Sequence, residues 1–124
     1  MILVSPVVSM GVFAHAGSRE NLLGAGPSAE LRAAYSNESR VTPATPTCFL
    51  VHAFDDRVVP VQNSLMFYRA LVDKGISSSL HVFPEGDHAI ALRGNPGSTE
   101  LWTALGEMWL KEKGFISGPS GPGK

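Results

Sequence analysis

Residues 47–60 read Thr-Cys-Phe-Leu-Val-His-Ala-Phe-Asp-Asp-Arg-Val-Val-Pro, an apolar stretch that runs directly into an acidic turn. An almost continuous apolar run of this length is typical of a parallel strand covered on both faces. Asp55 and Asp56 follow the predicted strand at once, and a helix is predicted after them. The stretch therefore predicts a strand-to-helix crossover of a parallel sheet, with two carboxylates at the carboxyl end of the strand, where such sheets gather functional residues.

Apolar strands and amphipathic helices alternate over most of the chain. The predicted elements are a strand (1–8), a loop (9–27), a helix (28–36), a strand (47–53), a helix (61–74), a strand (80–83) and a last helix capped by Ser98. This order predicts the α/β class, with three parallel strands, flanking helices and right-handed crossovers. Residues 1–116 are expected to form one domain, and the Gly- and Pro-rich residues 117–124 a flexible tail.

Composition narrows the classes of function. The 124 residues are 44% hydrophobic and carry a net charge of −1, so a buried core is expected and no basic surface for nucleic acid or an anionic membrane is indicated. The single cysteine, Cys48, excludes an internal disulfide and lies in an apolar run, which favours a packed strand residue. No spacing typical of a metal site occurs, and neither a signal peptide nor a membrane span is predicted, so the compartment stays open.

A histidine follows the third predicted strand as the acidic pair follows the second. His88 lies in Gly86-Asp87-His88, so both groups are expected at the same edge of the sheet. A carboxylate there can hold the Nδ1–H of an imidazole, fix its tautomer and stabilise the imidazolium formed during proton transfer. Arg57 can keep one acid ionised or bind a substrate carbonyl, and His52 can brace the turn. The plainer alternative is that Asp55 and Asp56 are turn residues before a helix.

A nucleophile for such a pair is hard to find. The motif Gly-x-Ser-x-Gly, which places a serine on a sharp strand-to-helix turn, does not occur in the sequence. Ser9 is the best local candidate, because Val7-Val8-Ser9-Met10-Gly11 keeps the serine and the second glycine. Val7 replaces the first glycine, which relieves crowding in the turn, and the residues that follow are poor helix formers.

These motifs resemble the carboxyl-terminal part of α/β-hydrolases, in the branch of dienelactone-hydrolase-like and prolyl-oligopeptidase-like enzymes. The chain looks most like small carbohydrate esterases of the acetylxylan or feruloyl esterase kind. The likeness covers about residues 1–115 and is carried by residues 5–10, 15–18, 21–24, 49–64 and 86–88. The resemblance implies a partial domain over residues 1–116 that lacks the nucleophile elbow.

The resemblance also implies the chemistry and the roles. The activity it implies is ester hydrolysis through an acyl-serine, with no cofactor, on a small-molecule or carbohydrate ester. Asp55, the first acid of the pair, maps to the triad acid and His88 to the base, while the family's serine lies on an earlier strand.

Two alternatives stay open. One is peptide-bond hydrolysis of the prolyl-oligopeptidase kind, with which Arg57 is compatible. The other is a catalytically inactive, associating chain. In the family, an upstream strand pairs with the strand that residues 1–8 resemble. Without that strand one edge of the sheet is unpaired, so self-association or a complex with a serine-bearing segment is expected.

Overall fold

The computed structural model describes residues 1–88 and 90–117. In chain order its elements are β1 (Ile2–Val4), α1 (Ala16–Leu23), α2 (Ala29–Tyr35), a first 3₁₀ helix (Asn37–Arg40), β2 (Phe49–Ala53), α3 (Gln62–Asp73), β3 (Ser79–Phe83), a second 3₁₀ helix (Gly97–Leu101) and α4 (Trp102–Glu112). Residues 118–124 of the predicted tail lie outside the described residues, and the extent of the domain stays a prediction.

The three strands form one parallel sheet in the order β1-β2-β3. Val4 pairs with Val51 on one side of β2, and Ala53 pairs with Phe83 on the other. All five residues of β2 are buried, as its apolar sequence predicts for a central strand. The predicted α/β architecture of three parallel strands with flanking helices is confirmed.

Side chains of β2 alternate between two cores, one on each face of the sheet. Leu50 points toward α3, where the buried cluster is Val8, Val41, Cys48, Leu50, Phe67 and Leu71. Phe49 and Val51 point toward α4, where the cluster is Phe49, Val51, Phe83, Trp102 and Trp109. Each fully buried side chain of this size contributes about 1.5–3 kcal/mol. The same alternation places His52 on the α3 face.

The first strand is shorter than the predicted strand of residues 1–8. It ends at Val4 because Ser5 adopts a positive φ of 43° and Pro6, which has no amide proton, follows. Ile2 and Val4 are 43% and 37% exposed, so β1 is much less covered than the central strand β2. Among the described strands, β1 pairs with β2 alone and its other edge is open.

The helical elements differ from the sequence prediction at three places, of which the first is the 3₁₀ helix Asn37–Arg40, where no element is predicted. Helix α1 lies inside the predicted loop of residues 9–27; it begins where Nδ1 of His15 accepts a hydrogen bond from the Ser18 amide and ends at Gly24, with φ of 79°. It buries no side chain, so it has no apolar stripe to reveal it. Ser98 caps no helix, because it lies inside the second 3₁₀ helix, which Pro96 precedes.

Candidate active site

The carboxyl ends of β2 and β3 bring a carboxylate and an imidazole together. Asp56 follows β2 and His88 follows β3, and Oδ2 of Asp56 lies 2.9 Å from Nδ1 of His88. The Asp56 side chain is fully buried, whereas 40% of the His88 side chain is exposed. The two groups therefore form a pair that is anchored on the acid side and open to solvent on the histidine side.

Four hydrogen bonds hold the Asp56 carboxylate. Its Oδ1 accepts from the amides of Val58 and Val59 at 2.9 and 2.8 Å, and its Oδ2 is 3.1 Å from Nε2 of His52 as well as contacting His88. Burial raises the pKa of Asp56, but the hydrogen bonds from His88 and from the Val59 and Val58 amides outweigh it, so the pKa lies below its ordinary value. The carboxylate is consequently ionised at neutral pH.

The contact predicted for Asp55 is made by its neighbour. The Asp55 side chain is exposed, and its Oδ1 accepts a hydrogen bond from the Asp87 amide at 2.9 Å. The physical reason is the turn after β2, in which the Asp56 amide donates to the Ala53 carbonyl. This turn directs the second acid inward, toward the two amides that satisfy its Oδ1, and the first acid outward. The expected pairing of Asp55 with His88 is therefore wrong, although Asp55 still anchors the loop that carries His88.

That loop has a constrained backbone. Gly86 has φ of 145°, and a Cβ added there would lie 3.3 Å from Cγ2 of Thr99, so only glycine fits well. Asp87 has φ of 51°, and its Oδ1 accepts a hydrogen bond from the His88 amide at 2.9 Å. These features fix the direction in which His88 leaves the loop. Its Nε2 makes no hydrogen bond to the described residues, and 40% of the His88 side chain is exposed.

His52 and Arg57, both predicted to support the acid, differ in their surroundings. His52 is fully buried, and its Nε2 also lies 2.9 Å from the Val59 carbonyl oxygen while its Nδ1 lies 2.8 Å from Oγ of Ser64. Arg57 is exposed and forms no ion pair with any described carboxylate. The structure thus connects His52, and not Arg57, to the Asp56–His88 pair.

Ser9 is not placed as a nucleophile. The residue is 2% exposed, and its Oγ accepts a hydrogen bond from the Gly11 amide. The loop around it is held by Asn63 of α3, whose Oδ1 accepts from the amides of Val8 and Ser9 at 3.0 and 2.9 Å. A substrate cannot reach an enclosed hydroxyl of this kind, and no hydrogen bond joins Ser9 to His88. Asn63 is not among the site residues predicted from the sequence, although it holds this loop. The available sequence signal is a polar residue in the first turn of the amphipathic helix α3.

Groups of metal-ligating side chains and membrane-spanning helices are both absent from the described part of the chain. Among residues 1–88 and 90–117, no three His, Cys, Asp or Glu side chains come close enough together to hold a metal ion. In the same ranges no helix has the length and apolar character needed to cross a membrane.

One family model and two curated proteins match most of this chain. Residues 5–113 match the model of the prolyl oligopeptidase family. The chain is 41% identical over 92 residues to an endo-1,4-beta-xylanase B of Butyrivibrio fibrisolvens, covering 74% of this chain and 14% of that protein. It is 37% identical over 92 residues to an acetylxylan esterase of Xylanibacter ruminicola, covering 70% of this chain and 19% of that protein.

A solved structure extends the likeness to the fold. The chain is similar to an acetyl ester-xyloside bifunctional hydrolase from Caldicellulosiruptor lactoaceticus, with a TM-score of 0.89 and 41% identity. The match covers 94% of this chain and 43% of that one, so this chain spans less than half the length of the solved relative and a smaller share of the two curated ones.

Proposed function

This chain belongs to the prolyl oligopeptidase family and has the α/β-hydrolase fold, and from that premise we propose that it supplies the acid and the base of a serine carboxylic ester hydrolase. The observation that carries the proposal is the 2.9 Å contact between Nδ1 of His88 and the buried, ionised carboxylate of Asp56. A carboxylate on one imidazole nitrogen and an open second nitrogen is the arrangement needed for general base work.

The reaction follows from this geometry. Nε2 of His88 takes the proton of a serine hydroxyl as its oxygen attacks the ester carbonyl carbon, and Asp56 stabilises the imidazolium that forms. The tetrahedral intermediate then expels the alcohol, which leaves with the proton returned by His88. Water attacks the acyl-serine in the same way, with His88 again accepting and returning the proton, and the carboxylic acid is released.

The nucleophile in this proposal comes from a segment outside these 124 residues. Support comes from the absence of Gly-x-Ser-x-Gly in the sequence and from the enclosed position of Ser9. The unpaired edge of β1 offers a place for a strand of that segment, since an open edge presents unpaired amide and carbonyl groups. Beside it lies a groove of about 310 Å³ lined mainly by apolar side chains, including Leu3, Pro6, Val8 and Phe67.

The substrate we propose is an acetyl ester on a xylose-containing carbohydrate. The names of two similar proteins, an acetylxylan esterase and an acetyl ester-xyloside hydrolase, support this class. A second candidate, hydrolysis of short peptides, is favoured by the family whose model matches residues 5–113. Acetylated xylan and a proline-containing chromogenic peptide, tested side by side on the same preparation, distinguish the two.

The test is complementation. The chain is combined with the part of the Caldicellulosiruptor lactoaceticus hydrolase that lies outside the matched 43%, and hydrolysis of p-nitrophenyl acetate is measured. We expect activity from the mixture, and from the chain alone no more than from a denatured control. Activity of the chain alone with a serine-directed phosphonate bound to Ser9 contradicts the proposal. A mixture that associates in light scattering but hydrolyses nothing supports the inactive, associating alternative.

A further inference from the structure

Two imidazoles contact one oxygen atom of the acid. Oδ2 of Asp56 lies 2.9 Å from Nδ1 of His88 and 3.1 Å from Nε2 of His52. His88 faces solvent with 40% of its side chain, whereas the His52 side chain is completely buried. The second histidine therefore cannot meet a substrate, but it shares the atom on which the proposed base depends.

The partners of His52 fix its tautomer. Nε2 also lies 2.9 Å from the carbonyl oxygen of Val59, which only accepts hydrogen bonds, so Nε2 carries the proton. Nδ1 lies 2.8 Å from Oγ of Ser64, and in a ring that carries its single proton on Nε2 this nitrogen accepts the Ser64 hydroxyl proton. Nε2–H is then a donor shared between the Val59 carbonyl and Asp56. Ser64 does not contact Asp56 itself; its hydroxyl affects the carboxylate by holding the His52 ring in this tautomer.

The fold explains why these groups meet. Strand alternation puts His52 on the face of β2 that packs against α3, and Ser64 lies in the first turn of that helix. Both residues have no exposed surface, so water cannot replace either contact. The Nε2–H donor of His52 is thus positioned by the sheet core, between β2 and α3, and not by a surface loop.

We propose that His52, held in its tautomer by Ser64, is a positioning residue that keeps Oδ2 of Asp56 aimed at His88. The proposal rests on the function proposed above, in which Asp56 orients the base. The Val58 and Val59 amides hold Oδ1, and the His52 donor holds Oδ2, so the carboxylate is fixed at both oxygens. Without that donor, Oδ2 has His88 as its single partner, and the carboxylate plane is held less firmly because only the two amide bonds to Oδ1 remain beside it.

The test compares two substitutions of His52 that differ in hydrogen bonding. His52→Gln keeps an N–H donor near the position of Nε2, whereas His52→Leu fills similar space without one. The readout is the tautomer of His88, measured on the whole chain by long-range ¹H–¹⁵N correlation at an alkaline pH where free imidazole is neutral. In the native chain we expect the Nδ1–H form of His88, because Asp56 accepts that proton.

The expected result is a split between the variants. His52→Leu lowers the ratio of Nδ1–H to Nε2–H in His88 by about tenfold, while His52→Gln stays within about threefold of the native ratio, as loss of one hydrogen bond to a charged group predicts. An unchanged ratio in His52→Leu, or equal loss in both variants, overturns the proposal, since a purely structural role does not depend on the donor.

Folding and function are separated by two further measurements. Thermal unfolding checks that each variant folds. If His52→Leu does not fold, the tautomer of His88 is measured in Ser64→Ala instead. A ratio of Nδ1–H to Nε2–H in Ser64→Ala equal to that of the native chain overturns the proposal. The tautomer is read without any substrate, so it decides the positioning role even when complementation yields no esterase. In an active mixture we expect His52→Leu to lower kcat by about 10- to 100-fold with KM unchanged, the range known for groups that orient the histidine and carboxylate ligands of metal sites.

Discussion

Replacing Asp56 by asparagine tests the acid assignment with little change of shape. Oδ1 of the new side chain still accepts from the Val58 and Val59 amides, so the amide nitrogen takes the place of Oδ2. That nitrogen carries two protons and faces the Nε2–H of His52 and the Nδ1–H of His88, so donors oppose donors. His88 relieves the conflict by moving its proton to Nε2, and a protonated Nε2 cannot accept the serine proton.

The magnitudes follow from the hydrogen bonds that this substitution removes. In the complemented esterase we expect Asp56→Asn to lower kcat about 10⁴-fold, the cost of holding the wrong tautomer. Two hydrogen bonds to a buried charge disappear, so the free energy of unfolding should fall by about 3–6 kcal/mol, at roughly 1.5–3 kcal/mol each. The first value is measured with p-nitrophenyl acetate, the second by urea denaturation of the chain alone.

Asp55→Asn is the matched control for this experiment. The new Oδ1 still accepts from the Asp87 amide, which leaves the His88 loop anchored, so kcat should fall less than about tenfold. The reverse order, with a loss near 10⁴-fold in Asp55→Asn and under tenfold in Asp56→Asn, would refute the reasoning and restore the first acid of the pair as the partner of His88.

Three further predictions concern stability and reactivity. The native pKa of Asp56 lies below its value in the unfolded chain, so between these two pKa values the native state binds fewer protons than the unfolded state. The stability that this group contributes is therefore present above about pH 4 and is lost as the pH falls through the native pKa. The urea midpoint, measured as a function of pH, should fall below about pH 4, and an unchanged midpoint there would contradict the prediction. Gly86→Ala introduces a Cβ 3.3 Å from Cγ2 of Thr99 at a φ of 145°, so unfolding should become easier by about 1–3 kcal/mol, whereas unchanged stability in thermal unfolding means that the loop adapts. Burial raises the pKa of the Cys48 thiol, so a thiol reagent should modify the folded chain at least about tenfold more slowly than the urea-unfolded chain, and equal rates would contradict the buried position.

Sequence patterns predict those parts of this molecule that repeat with a period. The apolar run of β2 reflects burial on both faces of a sheet, and in α3 the buried Phe67 and Leu71 lie four residues apart, so both elements follow from the residues alone. The placement of acid and histidine at one edge of the sheet follows as well, since all carboxyl ends of a parallel sheet lie there.

The choice between adjacent acids does not follow from such patterns. Alternation ends with β2 at Ala53, and the side-chain directions of Asp55 and Asp56 are then set by one turn and by the amides of Val58 and Val59. The sequence does not predict helix α1 for a related reason, because this helix is stabilised by its N-cap hydrogen bond and buries no side chain. Local hydrogen bonds decide both cases, and they leave no periodic trace.

In the proposed reaction, His88 and Asp56 of this chain activate a serine located on another segment. The most direct measurement is the rate at which a fluorophosphonate labels the serine-bearing segment of the complemented hydrolase. With the native chain present we predict rapid, stoichiometric labelling, and with His88→Ala or Asp56→Asn a rate lower by about 10³- to 10⁴-fold. Labelling that is equally fast without the chain, or with His88→Ala, would contradict the account.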